Sequence, residues 1–373
     1  MNVSSPPRRL AALDWMRGLV MVLMTVDHAS NAFNAGRLSS DSVARWTVGS
    51  ELPADQFLTR WVTHLCAPTF VFLAGTALAL SIHRRLAEGD TPRGLDGFHL
   101  RRGLFIALLD PLWMSWVFRE WGQWILQVMY VLGVSMMCMV PLRRLGARTL
   151  VGLGVVLLVG NEWLAEALTS LGAPVLPVAL LFRGGIFAGG LFVIAYPLAP
   201  WLGVMCLGWA FGRRLLVSRV GVTRLLGMSG VGALGLFLLV RGLNGYGNER
   251  LLREGDTLLQ WLHVSKYPLS LSYASLELGL MALLLAGFWW VEQRRGEVKA
   301  LAPLRLLGQT ALFFYLLHVH LLVGVATLLG VKKQLGLGAT YGAAVGALAV
   351  LSVACARFRR YKAAHPRGWT RYV

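Results

Sequence analysis

The amino-acid sequence predicts an all-α integral membrane protein, a bundle of about ten transmembrane helices with both termini in the cytoplasm. Three observations support this fold class. Of the 373 residues, 56% are hydrophobic and only 14% are charged, whereas about a quarter of the residues in a soluble domain are charged. The apolar residues fall in blocks of about 17 to 25 residues, the length that crosses a hydrocarbon core. The basic residues concentrate in alternate loops.

Ten apolar blocks meet this length criterion, and we predict a transmembrane helix from each. They lie at residues 11–33, 57–82, 102–118, 122–140, 150–168, 186–211, 225–241, 268–291, 309–330 and 338–356. Pro197 and Pro200 interrupt the sixth block, and segment 171–184 is too short to span, which predicts a re-entrant or surface segment. The chain is therefore expected to form one membrane domain over residues 1–373, with a basic cytoplasmic tail at 357–373.

The distribution of charge predicts the orientation. If residues 1–10 are cytoplasmic, this N-terminal segment, the cytoplasmic loops and the tail together hold 24 of the 36 Lys and Arg residues. This is the positive-inside bias, and it predicts that both termini lie in the cytoplasm. The net charge of +18 then follows from topology and contact with anionic lipid, with no nucleic-acid site implied. The long loops 34–56 and 242–267 become extracytoplasmic, where they could roof a substrate cavity.

Motifs for soluble nucleotide-binding or metal-dependent enzymes are absent from the sequence. It contains no GxGxxG after a strand, no Walker P-loop and no HExxH. The cysteines occur singly in apolar blocks, which predicts small buried side chains and neither a disulfide framework nor a metal site. They are Cys66, Cys138, Cys206 and Cys355. Any cofactor is therefore expected to bind within the helical bundle or its loops.

A polar stripe on the first block is the strongest functional signal. Asp14, Arg17 and His28 share one face of a helix, since the eleven steps from Arg17 to His28 close to within about 20°. Polar groups inside an apolar span are costly unless they line a cavity or pack against partners. Arg17 therefore has two interpretations: a snorkelling arginine paired with Asp14, or an anion-binding group at the inner mouth.

Two histidines are predicted to meet at one outer cavity. His28 lies near the outer end of the first span, and His64 lies near the outer start of the second. Histidine is the natural general base for a hydroxyl or amine near neutral pH, and Asp27 could stabilise the imidazolium. Asp27 points about 100° away from His28, so it could instead contact a neighbouring helix. The alternative for all three is that they are interfacial polar groups.

Other polar residues in the spans need partners. Of His318 and His320, we favour His318 as the one that faces the bundle interior. Lys266 precedes the eighth block, where it is either a phosphate or carboxylate contact at a cavity rim or an interfacial anchor. Asp110, before a proline in the third block, is expected to form a structural ion pair with an arginine, with a catalytic acid as the alternative.

Five short motifs, in order, resemble a known family. The chain is similar to the transmembrane acyltransferase superfamily, and within it to the bacterial DUF1624 proteins, which are related to the heparan-alpha-glucosaminide N-acetyltransferase catalytic domain. The resemblance covers about residues 8–325. It rests on Leu13–Leu19 with Met24 and Asp27-His28, on Pro68–Gly75, on Tyr196-Pro197 through Pro200–Met205, on His263–Pro268, and on Phe313–His318.

The resemblance implies a multi-pass bundle that moves an acyl group, typically acetyl from acetyl-CoA, onto a sugar amine or hydroxyl across the membrane. The superfamily places a catalytic-looking histidine eleven residues after the arginine of its opening motif. Those positions carry over onto His28 and Arg17. The animal glucosaminide enzymes differ, with asparagine at the His28 position and their active-site histidine further along, where this chain has no matching histidine. The resemblance therefore does not indicate which substrate this chain uses.

Our working hypothesis is an inner-membrane acyltransferase that uses acyl-CoA from the cytoplasm and acylates an extracytoplasmic carbohydrate. We predict His28, Asp27 and His64 as catalytic residues. We predict that the donor-binding residues are Arg17, Asp14, Lys266 and His318. We expect no bound metal. A homo-oligomer is compatible with the sequence. One alternative is a transporter or proton-coupled carrier for a small acid or sugar. A second is a non-catalytic scaffold whose polar stripe holds helices together.

Overall fold

The fold was examined in a computed structural model that describes residues 10–118, 123–365, 368 and 370. Within these residues the regular secondary structure is helical apart from three short strands, and loops connect the elements. The helices, α1 to α16 in order, are Ala11–Phe33, Ala54–Trp61, Cys66–Ala87, Pro92–Leu109, Ser115–Phe118, Val128–Leu142, Ala147–Val159, Asn161–Ser170, Val175–Val178, Leu198–Val217, Val222–Leu243, Leu258–Leu262, Leu271–Arg295, Ala302–Gln309, Ala311–Leu328 and Leu337–Ala364. Some predictions fall outside the described residues: Arg8 and Arg9 of the topology argument, and Arg367 and Arg371 of the tail.

The predicted number of ten spans stays a prediction. Within the described residues five helical segments are long and apolar enough to cross a membrane. They are Ala54–Ala87, α11, α13, α15 and α16. A sixth arises if α7 and α8, which meet at a bend of 58°, count as one span. The chain is thus a helical membrane protein. The orientation of its termini, which rests on charge alone, also remains a prediction.

The first helix lies at the centre of the bundle. α1 has the bounds predicted for the first block, and it packs against α3, α13, α14, α15 and α16. Its free N-terminal amides are capped by another helix, because the Glu292 carboxylate accepts the N–H groups of Ala11 and Ala12 at 2.9 and 2.8 Å. A carboxylate at this position also interacts favourably with the helix dipole.

Glycines bring α14 against α1 without intervening side chains. A Cβ atom on Gly308 would lie 1.9 Å from the backbone oxygen of Asp14, and one on Gly18 would lie 1.9 Å from that of Leu304. Such separations are far below van der Waals contact, so a larger residue at either position would force the helices apart. This close packing fixes the part of α1 that carries Asp14 and Arg17.

The sixth predicted span is wrong in its first third. Residues 185–194 contain two strands joined by a short turn, and the helix begins only at Leu198. The strands β1 (Trp124–Leu126), β2 (Gly185–Phe187) and β3 (Phe192–Ile194) make a small sheet in the order β1-β3-β2. β1 pairs parallel to β3, and β2 pairs antiparallel to it. Gly189 and Gly190 have positive φ angles in the connection between β2 and β3, a conformation that ends a helix and favours a hairpin.

Asp110 has a different structural role from the one predicted. Its Oδ2 accepts the backbone N–H groups of Gln127 and Tyr130, both at 2.7 Å, at the start of α6. Asp110 therefore caps a helix from another segment of the chain. Among the described residues no arginine lies within ion-pair distance of it.

Candidate active site

Three cavities follow one another along α1 and α3. We call the end of the bundle at Phe33 the outer end and the end at Ala11 the inner end, following the predicted topology. Two inner cavities have volumes of about 380 and 280 Å³ and share Arg17 and other lining residues. A third cavity, of about 60 Å³, is lined by His28. Since a helix rises 1.5 Å per residue, Arg17 and His28 are about 16 Å apart along α1. The predicted polar stripe therefore faces cavities.

The outer cavity holds the predicted general base. Its polar lining comes from α1, from the segment before α13, from the residues after β1 and β3, and from α15. These residues are Asp27, His28, Lys266, Tyr267, Gln127, Tyr196 and Tyr315. A water molecule occupies about 30 Å³ of liquid volume, so the cavity has room for roughly two waters or a similarly small reacting group.

His28 is oriented by a second histidine. The distance from His28 Nδ1 to His318 Nε2 is 2.6 Å, and His318 Nδ1 lies 2.7 Å from the backbone oxygen of Tyr315. A carbonyl oxygen can only accept, so His318 Nδ1 carries the proton and its Nε2 is an acceptor when the ring is neutral. His28 Nδ1 must then donate, which leaves the lone pair of neutral His28 on Nε2. The prediction that His318 faces the interior is confirmed, since it is fully buried. It contacts His28 and is not part of the lining of the three cavities.

Asp27 belongs to a network of buried charges. Its Oδ1 accepts from Arg60 Nη1 at 2.5 Å and from Arg37 Nη2 at 2.8 Å. The other guanidinium nitrogen of Arg60 donates to Asp41 Oδ2 at 2.5 Å. Asp27 Oδ2 is 3.9 Å from His28 Nε2, which is too long for a hydrogen bond. Asp27 therefore contacts neighbouring segments, as its direction on the helix indicates, and it also lies close enough to stabilise a charged imidazole.

His64 lies behind the cavity wall. It is buried, its Nε2 is 3.5 Å from Asp41 Oδ2, and its ring packs edge-on against Tyr273. Its neighbours Thr63 and Cys66 line the outer cavity, whereas His64 is not among the lining residues. The prediction that the two imidazoles meet at one cavity is thus wrong. His28 lines the outer cavity, whereas His64 contacts Asp41 in the network of charges.

The outer loops fold together and place Lys266. The backbone N–H groups of Lys266 and Tyr267 donate to the backbone oxygen of Asp41 at 2.9 and 3.2 Å, and His263 Nε2 donates to the backbone oxygen of Ser40 at 2.7 Å. Burial alone would raise the pKa of the Asp41 carboxyl, but Arg60, together with His64 and Lys266, holds that pKa well below its ordinary value. Asp41 is therefore a carboxylate at neutral pH. The loop at 242–267, which was predicted to cover a cavity, contributes Lys266 to the lining of the outer cavity, where this residue is 4% exposed.

The charged side chains that line the inner cavities are mostly basic. Arg17 donates to Asp14 Oδ1 at 3.1 Å, so the predicted pair is confirmed, and Arg17 also lines both cavities. Gln309 donates to the other Asp14 oxygen at 3.2 Å. Further cations complete the lining of one or both cavities: Arg84, Arg102, Arg219 and Lys362. A cavity with this lining suits an anionic ligand with several phosphate groups.

Sequence reasoning missed Arg60, the centre of the outer network. Its position inside the second predicted span was a usable signal, because an arginine in an apolar span needs a buried partner. The roles of Arg37, Gln127 and Tyr315 had no comparable signal. Each reaches the site through long-range packing, and each residue type is common near span ends.

Fold and site together define a class: a helical membrane protein with a histidine-lined cavity next to larger cavities that several basic side chains line. A comparison with family models then supplies the family. The model described as heparan-alpha-glucosaminide N-acetyltransferase, catalytic, matches residues 9–230. The chain belongs to this family, and its membership indicates an acetyltransferase-like membrane enzyme. No curated protein matches the chain.

Proposed function

We propose that the protein is a membrane acyltransferase of the bacterial inner membrane. It would move an acyl group, most simply acetyl, from cytoplasmic acyl-CoA to a hydroxyl or amine of an extracytoplasmic glycan or sugar. The observation that carries the proposal is the row of cavities along α1, basic at the inner end and lined by His28 at the outer end. Family membership supports acetyl transfer.

The inner cavities would bind the donor. Acyl-CoA carries several phosphate groups, and arginine binds phosphate through paired, charge-assisted hydrogen bonds. Arg102 has a buried Nε atom with no hydrogen-bond partner among the described residues, which fits a site that is completed by an anionic ligand. Arg17, held by Asp14, would bind the donor at the point nearest to the outer cavity.

His28 would act as the general base. Its Nε2 accepts the proton of the acceptor hydroxyl or amine while the acceptor atom bonds to the acyl carbon. The carbon–sulfur bond of the thioester then breaks, and the proton on His28 passes to the departing thiolate. Lys266 lines the same cavity, where its positive charge would stabilise the negative charge that develops on the carbonyl oxygen. Asp27 would stabilise the imidazolium, and His64 would support Asp27 indirectly through Asp41 and Arg60.

The test is acyl transfer by a His28 variant compared with a matched histidine. Membranes that contain the protein are given acetyl-CoA with a labelled acetyl group, and label in envelope glycans is measured by mass spectrometry. H28Q should lower the rate by about 10²–10⁴-fold, the range for loss of a general base. H320Q is the control, because His320 stacks on Trp113 away from the cavities and should keep nearly full activity. Normal transfer by H28Q would refute the proposal.

Donor binding has its own readout. R102Q should raise the KM for acetyl-CoA with little change in kcat, because Arg102 contacts the donor far from the reacting carbonyl. R45Q, at an exposed position of the first outer loop, should leave the KM unchanged. Counterflow of a labelled small acid or sugar without covalent change, in proteoliposomes that show no acyl transfer, would favour the transporter alternative.

A further inference from the structure

Phe70 lies between the basic inner cavity and the histidine-lined outer cavity. Among the described residues, Phe70 is the one that lines both the 60 Å³ cavity and the adjoining 280 Å³ cavity. On one side of it α3 contributes Ala67 to the outer cavity, and on the other it contributes Ala74 to the inner cavity. These residues are three positions before and four positions after Phe70, on the same helix face.

The surroundings of Phe70 leave space for its ring to move. Its neighbours on that helix face are alanines, and it is only partly buried. Across the cavity Tyr315 faces it with a distance of 6.2 Å between ring centroids and an angle of 38° between the rings. This spacing lies at the loose end of the range for aromatic pairs. Phe70 packs at the edge of the main hydrophobic core and is not fully buried in it, so its ring is held less tightly than a core side chain.

We propose that Phe70 is a movable partition that admits the acyl end of the donor to His28 and otherwise keeps water of the inner cavity away from it. The inference rests on the proposed function for the identity of the donor. If the arginines hold the donor at the inner end, its acyl group must pass Phe70 to reach His28. A closed partition would protect the thioester from hydrolysis when no acceptor is present.

Cys66 gives a readout that does not depend on catalysis. Its side chain lines the outer cavity on the far side of Phe70 from the arginines. In a variant that keeps only Cys66, with the other three cysteines replaced by alanine, labelling by sulfonatoethyl methanethiosulfonate reports access to this cavity. The reagent is anionic, so the basic inner cavity attracts it. Inside-out and right-side-out vesicles separate access from the two ends.

F70A should increase the rate of Cys66 labelling from the inner end by at least tenfold over the same chain with Phe70. F72A is the matched control, because Phe72 lies on the same helix but packs against Phe211 and lines none of the three cavities. It should leave the labelling rate unchanged. If F70A does not insert stably, F70L provides a smaller opening and should give an intermediate rate.

Equal labelling of the Phe70 and F70A proteins from the inner end would overturn the proposal. So would rapid labelling from that end with Phe70 in place, since no partition would then exist. A second readout is hydrolysis of acetyl-CoA without acceptor, which F70A should raise at least fivefold relative to acetyl transfer. If F70A opens Cys66 to the reagent while the wild type transfers no acyl group, the partition stands and the proposed function fails.

Discussion

The hydrogen bond between His28 and His318 leads to the most specific prediction. Replacing His318 with leucine leaves the Nδ1–H of His28 without its acceptor, because the 2.6 Å contact is to the ring nitrogen that leucine lacks. The proton is then no longer held on Nδ1, and the imidazole can turn its protonated nitrogen to the cavity. H318L should therefore lower kcat for acyl transfer while the KM for acyl-CoA stays the same.

The expected size follows from the cost of the lost bond. A neutral hydrogen bond contributes about 0.5–1.5 kcal/mol, and a buried donor left unpaired costs about 1–3 kcal/mol. Since about 1.4 kcal/mol corresponds to tenfold in rate, the cost of the unpaired donor predicts that H318L reduces kcat by roughly five- to 140-fold. H318Q offers an amide oxygen to the same Nδ1–H and should recover activity to within about threefold of the wild type.

The assay is a double-mutant cycle on initial rates of acetyl transfer. In the H28Q background, adding H318L should have no further effect, because His318 acts through His28. Equal losses in both backgrounds would refute the tautomer argument and indicate a general packing defect. Equal activity of H318Q and H318L would also refute the proposed role of the His28–His318 hydrogen bond. Thermal unfolding of each variant in detergent measures stability separately.

Three further predictions concern stability, measured by thermal unfolding of the purified protein. G308A should destabilise it by on the order of 1–3 kcal/mol, since the new Cβ meets the Asp14 backbone oxygen, while G324A, which meets nothing within 4 Å, should not. D110A should cost about 1–2 kcal/mol by removing the cap of α6, and no loss would refute that role. Burial raises the pKa of the Glu249 carboxyl to about 7 from 4.5, so the folded state binds more protons between those values. Stability should therefore fall as pH rises from about 4.5 to 7, by about 3 kcal/mol at most, and E249Q should abolish the fall.

The fold class could be predicted because hydropathy and helical period are local properties. α1 was predicted with its observed bounds, and the apolar blocks that became α11, α13 and α15 were placed within about four residues. The block at 338–356 begins one residue after α16 begins but ends eight residues before α16 does. The errors arose where backbone geometry overrides composition. Residues 185–194 are apolar enough to have been included in the predicted sixth span. The glycines in this segment and Pro197 after it disfavour a helix, and the segment forms two short strands instead.

The site was predicted in part. Asp14, Arg17 and His28 were placed on one face by counting along a single helix, and the Asp14–Arg17 pair needs no other element. The position of His64 was predicted wrongly, because neighbouring helices need not turn their histidines to the same cavity. His64 lies in the 3-10 turn Val62–Leu65, just before α3. The position of α3 in turn depends on close contacts with α10, where a Cβ on Gly208 would lie 2.0 Å from the Phe72 backbone oxygen. Counting residues cannot reveal such contacts.

By itself the sequence determined that this is a helical membrane protein whose first helix carries a costly polar face, because the energies of apolar burial and helical spacing are set residue by residue. Only the tertiary structure decided which groups meet. His318 contacts His28 across 290 positions of the chain, and Arg60 joins Asp27 to Asp41 from a third segment. Such contacts depend on how whole helices rotate and pack. The same packing placed the stripe on α1 in the lining of these cavities.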